Sequence, residues 1–155
     1  MRLKDKKRGF LKGFCDAFSG IKTAVREERN LRVHICMMAY VVFFSIIGEV
    51  SKDTFLKFLI LFGIVLSAEA FNSAIERLCD VVSEEFDLRI KSVKDISAGA
   101  VLVSAVSAAS VGLFVFLSSD VLETVFGKFA AYPLLAVLFV ISVPVAVLFI
   151  IKRGK

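Results

Sequence analysis

Five polar side chains, Glu69, Asn72, Ser73, Glu76 and Asp80, punctuate the stretch SAEAFNSAIERLCD at residues 67–80. On an α-helix turning about 100° per residue, all five fall within one arc of roughly 100°. One helical face therefore carries three carboxylates. The strongly apolar FLILFGIVL precedes it, so the face begins inside a membrane span. An ionisable group there costs roughly 3 kcal/mol even on lenient insertion scales and marks function by default. Carboxylates near the membrane surface can bind a hard cation such as Mg²⁺ and with it a nucleotide's phosphates. A deeper carboxylate on the same face meets a lipid headgroup instead. Phosphoryl transfer needs these parts together: a base for the attacking hydroxyl, a metal, and a cation for the transferred group. Glu69 supplies the base, Glu76 a metal ligand, and Lys94 beside Asp95 a charged pair at the start of the next span. Glu27 or Glu28 adds a ligand from upstream, and spacing alone does not choose between them.

Those residues must be positioned by membrane helices. The 155 residues are 57% hydrophobic with a mean hydropathy of +0.80, too apolar for a soluble globule of that size. The expected fold is an all-α integral membrane protein. Phe10, Phe14, Phe18, Ile21 and Val25 recur at helical spacing between charged residues, the pattern of an interfacial amphipathic helix that could roof an active site. Apolar runs at residues 33–48, 54–79, 95–118 and 131–151 make four spans. The first needs extension into Asn30 and Leu31 at one end and Glu49 and Val50 at the other to reach the roughly 20 residues a bilayer requires. Residues 80–94 read as a polar loop and 119–130 as a short polar crossing. Ala100, Ser104, Ala108 and Gly112 form a small-residue ladder suited to close helix packing. Pro133 and Pro144 are expected to kink the fourth span, which membrane helices tolerate. No cleavable signal peptide is expected, because about thirty polar or amphipathic residues precede the first apolar run.

Charge sets orientation. Seventeen of the 20 Lys and Arg fall on the side holding both termini and the 80–94 loop, and only Lys52, Lys57 and Lys128 fall on the other. The positive-inside rule then places both termini in the cytoplasm, across the inner or plasma membrane. The N-terminal basic cluster suits anionic headgroups, not nucleic acid. Glu69 lies 15 residues beyond Thr54, about 22 Å along a helix rising ~1.5 Å per residue, in the cytoplasmic half. Cys15, Cys36 and Cys79 lack metal or redox spacing and read as small buried hydrophobes. His34 reads as an interfacial polar anchor. Neither a Walker A motif nor a kinase-type glycine-rich loop is present. An ion or proton carrier, or a non-catalytic bundle, would also use an acidic face. Carriers spread ionisable groups over several spans, whereas the third and fourth spans have none in their interiors.

The segment EAFNSAIERLCD at 69–80, followed by KDISAGAVL at 94–102 and preceded by GIKTAVREERNLRVH at 20–34, closely resembles the small bacterial diacylglycerol kinase and undecaprenol kinase family. The resemblance covers about residues 10 to 118. It implies a homotrimer of three-span subunits that transfers the γ-phosphoryl group of MgATP to the hydroxyl of a membrane lipid, diacylglycerol or undecaprenol. It implies Glu69 as general base, Glu28 and Glu76 as metal ligands that also position ATP, and Asn72 as support for the same site. Lys94 and Asp95 would bind the nucleotide, with Glu85 and Asp87 contacting its outer end. Register with Gly20 and Asn30 favours Glu28 over Glu27. Residues 1–118 would form the kinase core, and residues 119–155 an extra transmembrane helix with a basic tail that the three-span pattern does not need.

Overall fold

The computed structural model describes residues 10–83 and 85–152. The basic tail over residues 1–9, together with Arg153 and Lys155 of the charge count, lies outside them. Among the described residues six helices follow in order: α1 (Phe10–Glu27), α2 (Arg29–Ile47), α3 (Lys52–Val82), α4 (Leu88–Phe116), α5 (Ser119–Ala131) and α6 (Pro133–Ile151). Helices α2, α3, α4 and α6 are long and apolar enough to cross a membrane, which makes this an all-helical, multi-pass membrane protein. In hydrocarbon every backbone polar group needs an internal partner, and helices provide it within one segment.

Local chemistry explains most helix boundaries. Glu28 adopts an extended conformation (φ −92°, ψ 115°) and breaks the interfacial helix from the first span. The first span gains Asn30 and Leu31 as expected, but it stops at Ile47. Gly48 caps it, and Glu49 takes a positive φ of 51°, so Glu49 and Val50 form the turn and not a further helical stretch. Ser51 caps α3, accepting from the Thr54 amide at 3.3 Å. Pro133 occupies the first turn of α6, where its missing N–H costs nothing, and Pro144 is accommodated inside that helix.

Two expectations about connections are corrected. The polar loop expected over 80–94 shrinks to the few residues between Val82 and Leu88, because polarity without Pro or Gly does not break a helix. Lys94 and Asp95 therefore stand well inside α4, not at its start. The polar crossing is itself a helix, α5, whose apolar Val121 and Val125 sit against Gly48.

The α3–α4 pair is the most extensive packing, and α2 lies against α3 on one side and α6 on the other. Phe139 of α6 contacts Tyr40, Phe43 and Phe44 of α2 at ring separations of 5.8, 6.0 and 5.3 Å. Leu31, Phe58, Phe62 and Val65 form a small apolar core. The outward faces of the spans are apolar and exposed, as a lipid solvent allows. Helix α3, at 31 residues, is about 46 Å long, longer than the roughly 30 Å hydrocarbon layer. One end of it must emerge into the interface, and the polar face occupies its last turns.

Candidate functional site

Past Val65 the core of the bundle turns polar. Glu69 is 2% exposed, and Asn72, Ser73 and Ser97 are also buried. The spacing that placed Glu69, Asn72, Ser73 and Glu76 on one face directs that face inward, toward α2 and α4. Asn30 of α2 interacts with the Glu69 carboxylate, and Glu28 and Glu76 lie near enough to repel its charge. Three carboxylates from the interhelical joint and from α3 thus converge, with Glu69 the deepest.

Asn72 joins two helices. Its Nδ2 donates to Glu76 Oε1 at 3.0 Å, and its Oδ1 accepts from Ser97 Oγ of α4 at 2.6 Å. Ser73 Oγ donates to the Glu69 carbonyl at 2.9 Å, satisfying a hydroxyl that would otherwise be costly to bury. Arg77, one residue beyond Glu76, spans the gap to the upstream acidic pair: its guanidinium reaches Glu28 at 2.8 Å and Glu27 at 3.1 Å. Glu28 is the more enclosed of the two, at 27% side-chain exposure against 53%. It is also the one that acts on Glu69. Lys94 of α4 pairs with Asp80 of α3, two turns past Ser73, and Asp95 is exposed beside it.

The loop carboxylates are engaged elsewhere. Asp87 caps α4, accepting from the Arg89 amide at 2.7 Å and pairing with its guanidinium at 2.9 Å. Arg89 and the capped amides hold the Asp87 carboxyl below the usual carboxylate range. The Glu85 amide donates to Ser83 Oγ within the loop. These contacts do not reach the Glu69 cluster. Arg77, Asn30 and Ser97 were missed from the sequence. Each had the same signal, its place inside one of the three motif blocks, Asn30 in 20–34, Arg77 in 69–80 and Ser97 in 94–102.

Among the described residues, two of the grooves that border α3 extend toward its acidic half. One, of about 560 Å³, lies toward α4 and includes Ile64, Ser67, Phe71, Asn72 and Ser97. Ile64, Ser67 and Phe71 face away from Glu69 on the helical wheel. The other, of about 590 Å³, runs between α2, α3 and α4 past Met37, Val41, Phe58, Phe62 and Gly112 to Val65 and His34. Val65 is one helical turn below Glu69, and His34 one turn below Asn30, so this groove opens directly beneath the buried carboxylate. Among the described residues lining it, His34 is the only polar side chain.

A buried acidic centre at one end of the helix bundle, beside an apolar groove, defines a multi-pass membrane protein with an ionisable site. The family model for prokaryotic diacylglycerol kinase matches residues 15–116. Undecaprenol kinase of Bacillus subtilis (strain 168) is 34% identical over 108 residues, which cover 70% of this chain and 88% of that protein. No solved structure matches. The chain belongs to the prokaryotic diacylglycerol kinase family, and it is a lipid kinase. Family membership sets aside the carrier and non-catalytic bundle readings of the acidic face.

Proposed function

We propose that this kinase transfers the γ-phosphoryl group of MgATP to the hydroxyl of a membrane polyprenol, with undecaprenol preferred over diacylglycerol. The observation that carries this reading is the groove beneath Glu69. Its walls are alkyl, aromatic or small, and His34, the one polar side chain among the described residues lining it, stands at the end nearest the carboxylate. A polyprenol confines its polarity to one terminal hydroxyl, so its chain can lie in such a groove with nothing left unpaired. Diacylglycerol brings two ester groups that would enter apolar surroundings without donors, at a cost. The name of the relative, undecaprenol kinase, points the same way.

In this scheme Glu69 accepts the proton of the lipid hydroxyl as its oxygen forms a bond to the γ-phosphorus. The bond from that phosphorus to the β,γ-bridging oxygen breaks and ADP leaves. Burial of Glu69 keeps bulk water from competing for the phosphoryl group. Glu28 and Glu76 would hold Mg²⁺. Among the described residues no three His, Cys, Asp or Glu side chains form a closed metal cage. Mg²⁺ in nucleotide sites takes one or two carboxylates from the protein and further oxygens from substrate and water. When bound, the ion neutralises phosphate charge. Lys94, released from Asp80, would meet the transferred group, with Asp95 next to it. Asn72 holds Glu76 toward the ion. Glu85 and Asp87 remain outer nucleotide contacts in this proposal.

The assembly proposed is a homotrimer. The open space beside Gly99 on the largely exposed α4 supports close approach of a neighbouring helix. Residues 1–118 would serve as the kinase core and 119–155 as an addition, with both termini on the cytoplasmic face of the cell membrane.

The test supplies γ-labelled ATP with undecaprenol and with diacylglycerol in parallel to protein in lipid bilayers. Label should enter the polyprenol and reach diacylglycerol at least tenfold more slowly. Equal labelling would overturn the acceptor preference. Equal lipid labelling from γ-labelled GTP, or labelling from γ-labelled ATP that persists without a divalent cation, would overturn the corresponding half of the MgATP reading.

A further inference from the structure

Arg32 is 5% exposed, yet the positive-inside count treats it as one of the basic residues flanking the first span. Its guanidinium donates to three main-chain carbonyls. Nη1 reaches Val25 at 3.0 Å and Arg26 at 2.8 Å, both in the last turn of α1, and Nε reaches Ile150 at 3.2 Å, in the last turn of α6. The final carbonyls of a helix have no amide of their own to bind and carry its partial negative charge. A planar guanidinium presents its donors as a rigid fork that can serve two such ends together, a geometry that an ammonium on a flexible stem does not fix. Arg32 therefore caps the surface helix and the fourth span at once.

The consequence reaches Glu28. Its amide donates to Ala24 of α1 at 2.8 Å, so Glu28 follows the last turn of α1 wherever that turn is held. Across the site it is bound to Arg77 of α3. We infer that Arg32 is a positioning residue through which α6 braces the end of α1 and sets Glu28 against α3, so that the fourth span supports the nucleotide end of the active site. This rests on Glu28 being a nucleotide and metal residue, as proposed above.

The experiment uses the full-length protein in bilayers with Arg32→Met and Arg32→Lys, the latter keeping the charge should the former fail to insert. Steady-state KM values for MgATP and for the lipid alcohol are measured, with amide exchange at Glu28 and Lys152, the residues following α1 and α6. Both variants should raise KM for MgATP at least tenfold, leave KM for the lipid within twofold, and speed exchange at both helix ends. A parallel rise in both KM values, or faster exchange at α1 alone with α6 unchanged, would overturn the brace. Glu28→Gln separates the two readings. If it leaves KM for MgATP unchanged, Glu28 loses its nucleotide role, whereas coupled exchange at the two helix ends still tests the brace itself.

Discussion

Ser97 of α4 donates a 2.6 Å hydrogen bond to Asn72 Oδ1 of α3, one helical turn from the buried Glu69. The same Asn72 holds Glu76 through its amide, so the packing of the two longest helices and the aim of a proposed metal ligand depend on one carboxamide. Removing the Ser97 hydroxyl leaves Asn72 Oδ1 buried without that donor, which costs about 1–3 kcal/mol. Ser97→Ala should lower the thermal midpoint of the solubilised protein while retaining part of its activity, because the bond to Glu76 survives. Asn72→Ala removes both bonds and should lose more activity. Thermal melts and kinase assays on the two variants check the order, and a larger activity loss in Ser97→Ala would contradict it.

Glu69 and Glu76 occupy one helix face but are assigned different tasks, and their variants should fail differently. Glu69→Gln keeps shape and hydrogen-bonding capacity while removing the base, so kcat should fall by about 10²–10⁴-fold with little change in thermal midpoint. Near-normal turnover would remove Glu69 from that role. Glu76→Ala should instead raise the Mg²⁺ concentration needed for half-maximal rate. An unchanged Mg²⁺ titration would count against Glu76 as a ligand.

The four spans and the acidic face were legible because a membrane makes both patterns absolute. Apolar length specifies a span, and polar groups at helical spacing specify one face, which is buried at Glu69, Asn72 and Ser73 and runs out to the exposed Asp80. The joints were less so. Residues 80–94 mix charges of both signs with scattered apolar residues, and that mixture alone does not show that Val82 and Leu88 bound a short loop, with Asp87 capping the following helix. Arg32 was hidden for the opposite reason: a cation beside an apolar run counts toward orientation, while its acceptors, the carbonyls of Val25, Arg26 and Ile150, have no side-chain signature. Arg77 is similar, since its contact with Glu28 joins residues 49 apart in sequence.

Asp87 offers a pH test that separates a cap from a nucleotide contact. The Arg89 side chain, with help from the Arg89 and Ile90 amides, holds its carboxyl below the ordinary value of 3.8. A group lowered on folding contributes stability that is present above its unfolded value and is lost as pH falls through the folded one. Amide protection at Arg89 and Lys91, corrected for intrinsic exchange, should therefore stay constant from neutrality to about pH 4 and decline only below it. Asp87→Asn keeps a capping acceptor and should remove that acid-dependent step. If the step survives in Asp87→Asn, another group is titrating. If KM for MgATP is unchanged in that variant, the proposed outer nucleotide contact at Asp87 is withdrawn.

Gly48 tests whether the two ends of α2 are energetically separate. A Cβ added there would lie 2.9 Å from Val121 Cγ1 of α5 and 3.0 Å from the Phe44 carbonyl. The carbonyl belongs to the last turn of α2 and cannot withdraw, so strain falls on Val121 and on the seating of α5. Overpacking of this kind costs about 1–3 kcal/mol. Gly48 is 20 residues from Glu28, about 30 Å along the helix axis, at the end away from the carboxylates. Gly48→Ala should therefore lower the thermal midpoint while KM for MgATP and for the lipid stays within twofold of the parent. Adding Val121→Ala should recover part of the loss, a non-additivity expected only if these two side chains meet. Full additivity would place the strain in the α2 terminus, and altered KM values would show that the outer turn communicates with the site.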